Sequence, residues 1–344
     1  MKVLVTGGCG FLGSHICERY KATGENVVSY DNMTKYELLR TGYNVAGARL
    51  HNWNLLRKMG VTMVKEDIRH SGALLKAARG CDYIINTAAQ PSMTIAIEDP
   101  RLDITTNVMG VYNVLEAARK CDIPVVHCST IHVYGNAIND SLKEGPTRFT
   151  RDPPTISEDH PNMQGATSPL HASKRSSEVY VQAFIDSYGL KAAAFRLTGM
   201  YGPRQFGGED HGWVANFVIR TVLGLPITVY GTDKQVRDIL YVSDAAAAFE
   251  SFYKSPKPGI YNVGGGTGNI ISLGECIRII AGITGKRQTL LDKPARLGDL
   301  WYFACDISKA REAFGWRPTV SNRDGIGRLI SWVEENRNLF GSGK

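Results

Sequence analysis

The chain has 344 residues, more than one ordinary domain and enough for an enzyme of two lobes. Hydrophobic residues make up 43% and charged residues 21%, a composition typical of a globular protein with a large core. The formal net charge is +7, but the basic residues are scattered and no apolar run spans a bilayer, so neither nucleic acid nor a membrane is an expected partner.

Short β-branched segments alternate with longer amphipathic segments through residues 1–198. The predicted strands lie at 3–5, 27–30, 62–64, 83–86, 125–128 and 192–197, and the predicted helices at 12–22, 73–78, 108–120 and 174–188. Apolar strands that alternate with helices are typical of a parallel sheet covered on both faces. The sequence therefore predicts an α/β fold with a Rossmann doubly wound parallel sheet.

The pattern changes after residue 199 into loops, short strands and separate helices, predicted at 213–223, 273–282 and 324–336. We expect residues 1–198 to form a Rossmann domain. Residues 199–344 are expected to form mainly a smaller C-terminal substrate-binding lobe, with some segments returning to the Rossmann domain. The polar stretch 136–166 is long for a connection in a compact enzyme, which favours a functional or mobile segment.

A glycine-rich turn, residues 7–13, follows the first strand and opens the first helix. Its glycines fit both G-x-G-x-x-G and G-x-x-G-x-x-G. Glycine permits a tight turn with positive φ, lets the backbone approach a pyrophosphate, and lets the helix pack close to its strand. The pyrophosphate then binds the free N–H groups at the helix N-terminus. The candidate cofactor-binding residues in the turn are Gly7, Gly10, Phe11, Leu12 and Gly13.

Asp31 ends the second strand, eighteen residues after Gly13. A carboxylate at this position accepts both hydroxyls of the adenosine ribose and repels the 2′-phosphate of NADP. Asn32 follows in place of an arginine, which also favours NAD. Asp67 and Ile68, after the third strand, are candidates to flank the adenine, although an ordinary turn explains Asp67 alone equally well. NAD is the expected cofactor.

Further short motifs follow along the chain. They are Asn86-Thr87-Ala88-Ala89-Gln90, Ser129-Thr130-Ile131-His132-Val133-Tyr134-Gly135, Ser173-Lys174, Tyr201-Gly202-Pro203-Arg204-Gln205, Val236-Arg237-Asp238 and Asn262-Val263-Gly264-Gly265. With the glycine-rich turn, they resemble the extended short-chain dehydrogenase/reductase family of nucleotide-sugar epimerases and dehydratases, from Met1 to about Trp332. The resemblance implies further NAD contacts by Ala88, Ala89, Gln90, Asn107 and Lys174, and a nucleoside-diphosphate sugar as the partner.

Within this family, the members that epimerise C2 of a CDP-linked dideoxyhexose are most similar to this chain. The similarity lies in residues 204–206, 212–214 and 234–238, and in Met93-Thr94 with Asp99-Pro100 and Asn107. It implies transient oxidation of a sugar hydroxyl to a ketone, which is then reduced from the other face, and it favours a CDP-sugar. A 4-epimerase or a nucleotide-sugar dehydrogenase is the alternative. Thr130 corresponds to the residue that binds the reacting oxygen, and Lys174 to the lysine that binds the nicotinamide ribose.

The chain departs from the family at its general base. The family pattern is Tyr-x-x-x-Lys, which places both side chains on one helix face. Leu170 stands four residues before Lys174 and cannot take a proton. Four interpretations remain: His171 replaces the tyrosine, although it points about 100° away around the helix; His132 replaces it; Lys174 itself exchanges the proton; or little oxidation occurs. Histidine is the commonest general base.

The C-terminal half contains candidate residues for the substrate. Arginine binds a diphosphate better than lysine because its planar guanidinium forms paired hydrogen bonds. The substrate-binding candidates are Thr94, Thr130, Thr198, Arg204, Asn216, Tyr230, Arg237 and Arg296. Within this set, the resemblance implies that Arg237 and Arg296 hold the diphosphate.

Two classes of function follow from these residues: an NAD-dependent nucleotide-sugar enzyme, or a cofactor-bound regulatory or scaffold protein that has lost the chemistry. Thr130, Lys174 and the arginines favour the enzyme, and Leu170 favours the second class. The seven cysteines show no metal-ligand spacing, and the N-terminus begins directly with a strand, so we expect no metal and a cytoplasmic protein. The helix at 174–188 resembles one through which family members form dimers, which implies a homodimer.

Overall fold

The computed structural model describes residues 1–38, 40–45, 47–48, 50–296 and 298–341, so residues 342–344 of the expected second lobe lie outside it. The strands are β1 (Lys2–Thr6), β2 (Asn26–Tyr30), β3 (Thr62–Val64), β4 (Tyr83–Asn86), β5 (Val125–Thr130), β6 (Lys143–Glu144), β7 (Phe149–Thr150), β8 (Ala192–Leu197), β9 (Gly199–Tyr201), β10 (Ile227–Tyr230), β11 (Val236–Tyr241), β12 (Gly259–Val263), β13 (Ile270–Ser272), β14 (Leu290–Lys293) and β15 (Tyr302–Phe303). The helices are α1 (Phe11–Ala22), α2 (His51–Lys58), α3 (Ser71–Ala78), α4 (Met93–Glu98), α5 (Pro100–Ile104), α6 (Val111–Cys121), α7 (Pro169–Tyr188), α8 (Trp213–Leu223), α9 (Val242–Lys254), α10 (Leu273–Thr284), α11 (Ser308–Phe314) and α12 (Asn322–Glu335).

Seven parallel strands form the central sheet, in the order β12-β8-β5-β4-β1-β2-β3. Both faces are covered by helices, since one apolar cluster includes residues of α1, α9 and α11 and another includes residues of α3, α6 and α7. The strand order reverses between β1 and β4, and ligands of such sheets bind in the crevice that this reversal opens. The predicted Rossmann doubly wound sheet is confirmed.

The chain after residue 199 contributes to two regions. The strands β9, β13 and β15 each pair with β11, and β10 pairs with β14, while α8, α10 and α12 share a separate apolar cluster. In contrast, β12 joins the central sheet beside β8, and α9 packs on α1. Segments of the C-terminal part thus lie in both regions, and the division at residue 198 stays a prediction.

Several element boundaries differ from those predicted, most clearly at α7 and before α6. The helix α7 begins at Pro169 rather than Lys174, because proline, with no N–H and a fixed φ, suits the first turn of a helix. A π-helical turn, Thr105–Gly110, precedes α6, so the predicted helix at 108–120 is regular only from Val111. The stretch 136–166 forms a 3-10 turn and the short antiparallel pair of β6 and β7.

A buried ion pair fixes α7 against the sheet. The carboxylate of Glu178 on α7 accepts hydrogen bonds from Arg196 of β8, at 3.0 Å from Nε and 2.9 Å from Nη2. It also accepts a hydrogen bond from Ser129 of β5, 2.6 Å away. Glu178 is fully buried and Arg196 is 2% exposed, so the buried guanidinium depends on this carboxylate for compensation, while Glu178 also pairs with Arg175 at 2.9 Å.

We expect Glu178→Gln to lower the free energy of unfolding by roughly 3–5 kcal/mol, because it leaves the buried Arg196 guanidinium without its counter-charge. Denaturant unfolding measures the change. The matched control is Glu116→Gln, which removes a carboxylate that pairs with Arg119 and Lys120 on the surface of α6. That control is expected to cost about 1 kcal/mol or less. Equal losses in the two variants would contradict the assignment of Glu178 as an anchor.

Candidate functional site

A cavity of about 530 Å³ runs along the carboxyl ends of the central strands and into the C-terminal region. Most of the residues predicted from the sequence line this cavity. They are Gly7, Gly10, Phe11, Leu12, Gly13, Asp31, Asn32, Asp67, Ile68, Ala88, Ala89, Thr130, His132, His171, Lys174, Thr198, Arg204, Asn216, Tyr230, Arg237 and Arg296. The fold therefore gathers both the cofactor candidates and the substrate candidates around one space.

The glycine-rich turn closes tightly over β1. Gly7 has a φ of +68°, and a Cβ atom on Gly13 would lie only 2.2 Å from the carbonyl oxygen of Gly7. Gly10 is the N-cap residue of α1, and no side chain among the described residues caps this helix. The first N–H groups of α1 are therefore free to bind an anion in the cavity, as a pyrophosphate requires.

Asp31 lies at the carboxyl end of β2, and its carboxylate is held in place by the backbone. It accepts hydrogen bonds from the N–H groups of Cys9, at 2.9 Å, and Met33, at 2.7 Å. Lys35 was not predicted from the sequence, yet it lines the same part of the cavity and its ammonium donates to the carbonyl oxygen of Cys9. It brings a positive charge to the glycine-rich turn, and its only sequence signal is its position four residues after Asp31.

Asp67 and Asn32 form one hydrogen-bonded group at the rim of the cavity. The amide of Asn32 donates to Asp67 at 2.8 Å, and the Arg69 guanidinium donates at 2.7 Å. Burial alone raises the pKa of Asp67, but the hydrogen bonds from Arg69 and Asn32 outweigh it and lower that pKa to about 2. Asp67 is therefore ionised at neutral pH.

Three predicted residues lie behind the cavity wall instead of lining it. Asn107 accepts a hydrogen bond from the N–H of Gln90 and donates one to its carbonyl oxygen, each at 3.0 Å. Thr94 donates to the carboxylate of Asp210, which itself lines the cavity. These hydrogen bonds fix the backbone and side chains that form the cavity wall. Direct contacts of Gln90, Asn107 and Thr94 with a ligand stay predictions.

The predicted catalytic residues meet in the middle of the cavity. Thr130 ends β5, and Lys174 on α7 is buried and donates to the carbonyl oxygen of Cys128, 3.0 Å away. Burial lowers the pKa of Lys174 because it disfavours the charged ammonium. Leu170, where the family has tyrosine, also lines the cavity.

His132 and His171 lie against each other. Their ring centroids are 5.3 Å apart and the ring planes differ by 8°, so the imidazoles are stacked. Burial lowers both pKa values, that of His132 to about 3, with the neighbouring His171 and Arg237 adding to the effect. Both rings are therefore neutral at pH 7.

The hydrogen bond of His171 assigns its proton. Its Nδ1 accepts a hydrogen bond from the N–H of Ser168 at 3.2 Å, so in the neutral ring the proton is on Nε2. Among the described residues, this Nε2 and the Nδ1 of His132 have no hydrogen-bond partner, although both atoms are buried. Buried polar atoms normally have partners, so these two nitrogens are available to a ligand.

Charged and aromatic side chains surround the far end of the cavity. Arg237 pairs with Asp299 at 3.0 Å, and the Arg296 guanidinium lies 3.7 Å from the ring centroid of Tyr230. Asn216 accepts a hydrogen bond from the side chain of Arg220, at 3.0 Å. Sequence reasoning missed Asp299, because its pairing with a distant arginine is not visible in the chain order.

Two other predicted substrate residues have different surroundings. Arg204 pairs at 2.6 Å with Glu18 of α1, 186 positions away in the chain, which fixes its guanidinium against α1. The hydroxyl oxygen of Thr198 is buried and has no hydrogen-bond partner within the described part of the chain. It is therefore another polar atom that a ligand in the cavity can satisfy.

The described residues include no group of three or more His, Cys, Asp or Glu side chains that could hold a metal ion. Within the same part of the chain, the structure has no helix with both the length and the apolar character needed to cross a membrane.

Comparisons with known proteins agree with this geometry. The family model described as the NAD dependent epimerase/dehydratase family matches residues 3–264. CDP-paratose 2-epimerase of Salmonella typhi is 30% identical over 346 aligned residues, which cover 97% of this chain and 99% of the relative.

Two solved structures share the fold over nearly the full length. UDP-glucose 4-epimerase of Thermus thermophilus, in complex with NAD, is 34% identical with a TM-score of 0.78, covering 96% of this chain and 98% of its own. UDP-glucose 4-epimerase of Thermotoga maritima, with UDP-glucose, is 27% identical with a TM-score of 0.82, covering 98% and 100%.

NAD is accordingly the cofactor of this chain. The described residues fit this cofactor. The uncapped N-terminus of α1 can bind its pyrophosphate, and the Asp31 carboxylate can accept hydrogen bonds from its adenosine ribose.

We expect Asp31→Asn to weaken NAD binding about 10- to 100-fold, because hydrogen bonds to a charged group contribute about 1.5–3 kcal/mol. The NAD content of the purified protein and calorimetric titration of the cofactor-free protein measure the effect. The matched control is Asp82→Asn, which changes a carboxylate that accepts a hydrogen bond from the backbone N–H of Lys2 at the start of β1. Unchanged affinity in Asp31→Asn would show that the ribose binds elsewhere.

Proposed function

Because this chain belongs to the NAD-dependent epimerase/dehydratase family, we propose that it is an epimerase that inverts C2 of a CDP-linked dideoxyhexose through a keto-sugar intermediate. One observation carries the proposal: one cavity joins the glycine-rich turn, Thr130, the two histidines, Lys174 and the arginines of the far end. The similarity to CDP-paratose 2-epimerase of Salmonella typhi supports the choice of carbon and nucleotide.

NAD, held by the glycine-rich turn and Asp31, would supply the hydride acceptor and donor that inversion at the sugar carbon requires. The residues of the chain must then remove the hydroxyl proton, stabilise the oxygen and return the proton. Thr130 at the end of β5 is suited to hold the reacting oxygen by a hydrogen bond. Lys174 is buried and donates to the carbonyl oxygen of Cys128, two residues before Thr130, and its charge favours the negative charge that develops on the reacting oxygen.

His132 and His171 together replace the family tyrosine, one as proton acceptor and the other as hydrogen-bond donor to the reacting oxygen. His132 is neutral and keeps an unprotonated ring nitrogen, so it serves as the proton acceptor. His171 presents Nε2–H, because its Nδ1 already accepts the N–H of Ser168, and it therefore serves as a hydrogen-bond donor to the oxygen. In the reduction step the proton returns from His132 to the same oxygen, so the net reaction consumes neither proton nor electrons.

Leu170 supports a second candidate, a protein that binds NAD and a nucleotide sugar without oxidation. Its side chain lines the cavity at the family position of the general base and removes the phenol that would take the proton. A 4-epimerase and a nucleotide-sugar dehydrogenase use the same cavity and differ in the carbon presented or in release of the keto sugar. These candidates give different products in one assay.

We expect the NAD-loaded protein to epimerise a CDP-dideoxyhexose at C2 without net NADH formation, in a panel of CDP-, UDP-, GDP- and dTDP-sugars. Product NMR and the absorbance of bound NADH are the measurements. His132→Gln is expected to lower kcat by about 10²–10⁴, the usual contribution of a general base. His171→Gln should lower kcat less, because glutamine still donates a hydrogen bond. Leu170→Tyr tests whether the family mechanism can be restored.

The pH dependence of kcat distinguishes a base with the lowered pKa of His132 from a histidine with an unshifted pKa. A base loses activity when it is protonated, and the pKa of His132 is lowered to about 3, so kcat should stay level between about pH 5 and 7. A fall with an apparent pKa near about 6.5 would contradict this assignment. Tight binding of sugars with no reduction of NAD by any of them would favour the second candidate.

We also propose a homodimer, in which α4 to α7 form the interface. Large apolar side chains are exposed on this side of the protein. They are Ile97, Ile104, Met109, Tyr112, Val179, Tyr180 and Tyr188. The rings of Tyr112 and Tyr180 contact each other, with centroids 6.2 Å apart, and exposed apolar side chains grouped in this way usually mark a protein contact. The seven free cysteines suit a reducing compartment, which supports a cytoplasmic location.

We expect Val179→Glu to convert the dimer to a monomer, because it buries a charge in the apolar interface. Light scattering after size-exclusion chromatography measures the mass. The matched control is Leu290→Glu, which places the same charge at a similarly exposed apolar position on β14. A monomeric wild-type protein would overturn the proposed homodimer.

A further inference from the structure

A carboxylate from the C-terminal half of the chain, that of Glu209, lines the part of the cavity formed beside β10. Glu209 precedes α8 and lines the cavity. Its Oε1 accepts a hydrogen bond from the hydroxyl of Thr228, 2.8 Å away, and its Oε2 accepts one from the phenol of Tyr230, 2.6 Å away. Both donors belong to β10, so the carboxylate has a fixed position on the wall. Each of its oxygens retains capacity for a further donor.

Tyr230 connects this carboxylate to the cation expected to hold the diphosphate. The phenol oxygen of Tyr230 binds Glu209, and the ring of the same residue lies beneath the guanidinium of Arg296, at 3.7 Å. Glu209 is therefore about one side-chain length from the diphosphate position. A nucleoside attached to that diphosphate reaches Glu209 with its ribose or its base. This step rests on the proposed function, which supplies the nucleotide.

Glu209 can only accept hydrogen bonds at neutral pH. Burial alone raises the pKa of this carboxyl, but the hydrogen bonds from Tyr230 and Thr228 and the nearby cations Lys293 and Arg220 together lower it below its usual value. An ionised carboxylate has no donor. Its ligand must therefore present an N–H or O–H group, and an acceptor placed opposite would meet another acceptor.

The pyrimidine bases differ at this point. Cytosine has an amino donor at position 4, whereas uracil and thymine have a carbonyl acceptor there, and carboxylates pair with the cytosine amino group. We propose that Glu209 selects the nucleotide: it accepts a hydrogen bond from the 4-amino group of a cytosine nucleotide and disfavours uracil and thymine nucleotides. Selection for cytosine has two causes. The cytosine amino group forms a hydrogen bond with Glu209, whereas the carbonyl of uracil or thymine leaves the carboxylate oxygen without a donor.

Calorimetric titration of the NAD-loaded protein with CDP and with UDP tests the proposal. We expect the wild-type protein to bind CDP at least about tenfold more tightly than UDP, the discrimination that a good contact to a base edge provides. Glu209→Gln should reduce this ratio to near one, because the new amide can donate to the 4-carbonyl of uracil. The matched control is Glu312→Gln, an exposed position on α11, which should leave the ratio unchanged.

A second ligand tests the same contact without any substitution. CDP methylated twice on its 4-amino nitrogen has no donor there, and we expect it to bind the wild-type protein as weakly as UDP. This measurement holds even if Glu209→Gln does not fold.

The possible results separate the failure of this inference from failure of the proposed function. Equal affinity of the wild-type protein for CDP and UDP would overturn the role of Glu209. An equal loss for both nucleotides in Glu209→Gln would do the same, since it would indicate a contact with the ribose. In either case nucleotide binding and the proposed epimerase reaction would stand, and the panel of nucleotide sugars would decide the nucleotide. If neither nucleotide binds the wild-type protein, both proposals are wrong.

Discussion

The site depends on one constraint: parallel strands place their carboxyl ends at a single edge of the sheet. The ends of β1, β2 and β5 are far apart in the chain, and the sheet order brings them to one crevice because it reverses between β1 and β4. The residue after each strand end therefore lines the same cavity, and α7 packs across it. These short segments contain most of the predicted cofactor and catalytic residues on the sheet side of the cavity.

Much of the cofactor side follows from local sequence. The glycine-rich turn and Asp31 are predicted from spacing, because a helix N-terminus and a strand end fix where those groups point. The arrangement of the substrate side is less visible. The pairs Arg237–Asp299 and Tyr230–Glu209 join residues that are distant in the chain, and each needs the folded β10, β11 and the loops beside them. The family resemblance and the residue types identified Arg237 and Tyr230 as candidates but gave no sign of their partners.

The substitution at Leu170 shows how a family position can change without the loss of neighbouring polar groups. The sequence indicated two histidines as replacements, but only the folded chain reveals that their rings stack and that the Ser168 backbone sets the proton of His171. Protonation of both stacked imidazoles would place two like charges in contact, and burial, which lowers both pKa values, keeps the rings neutral before a ligand binds. A family pattern thus identifies the place of the chemistry more reliably than the side chain that performs it.

The contacts of Glu178 bear on how tightly ligands can bind. The carboxylate holds Ser129, which precedes Thr130, and it lies on α7 one turn after Lys174. The strand end and the helix that carry the proposed catalytic groups are therefore tied to one buried charge before any ligand arrives. Less of the binding free energy is then spent on restricting these side chains, and more of it remains as affinity. Glu178 does not line the cavity, yet it reduces the conformational entropy that the protein loses when a ligand binds.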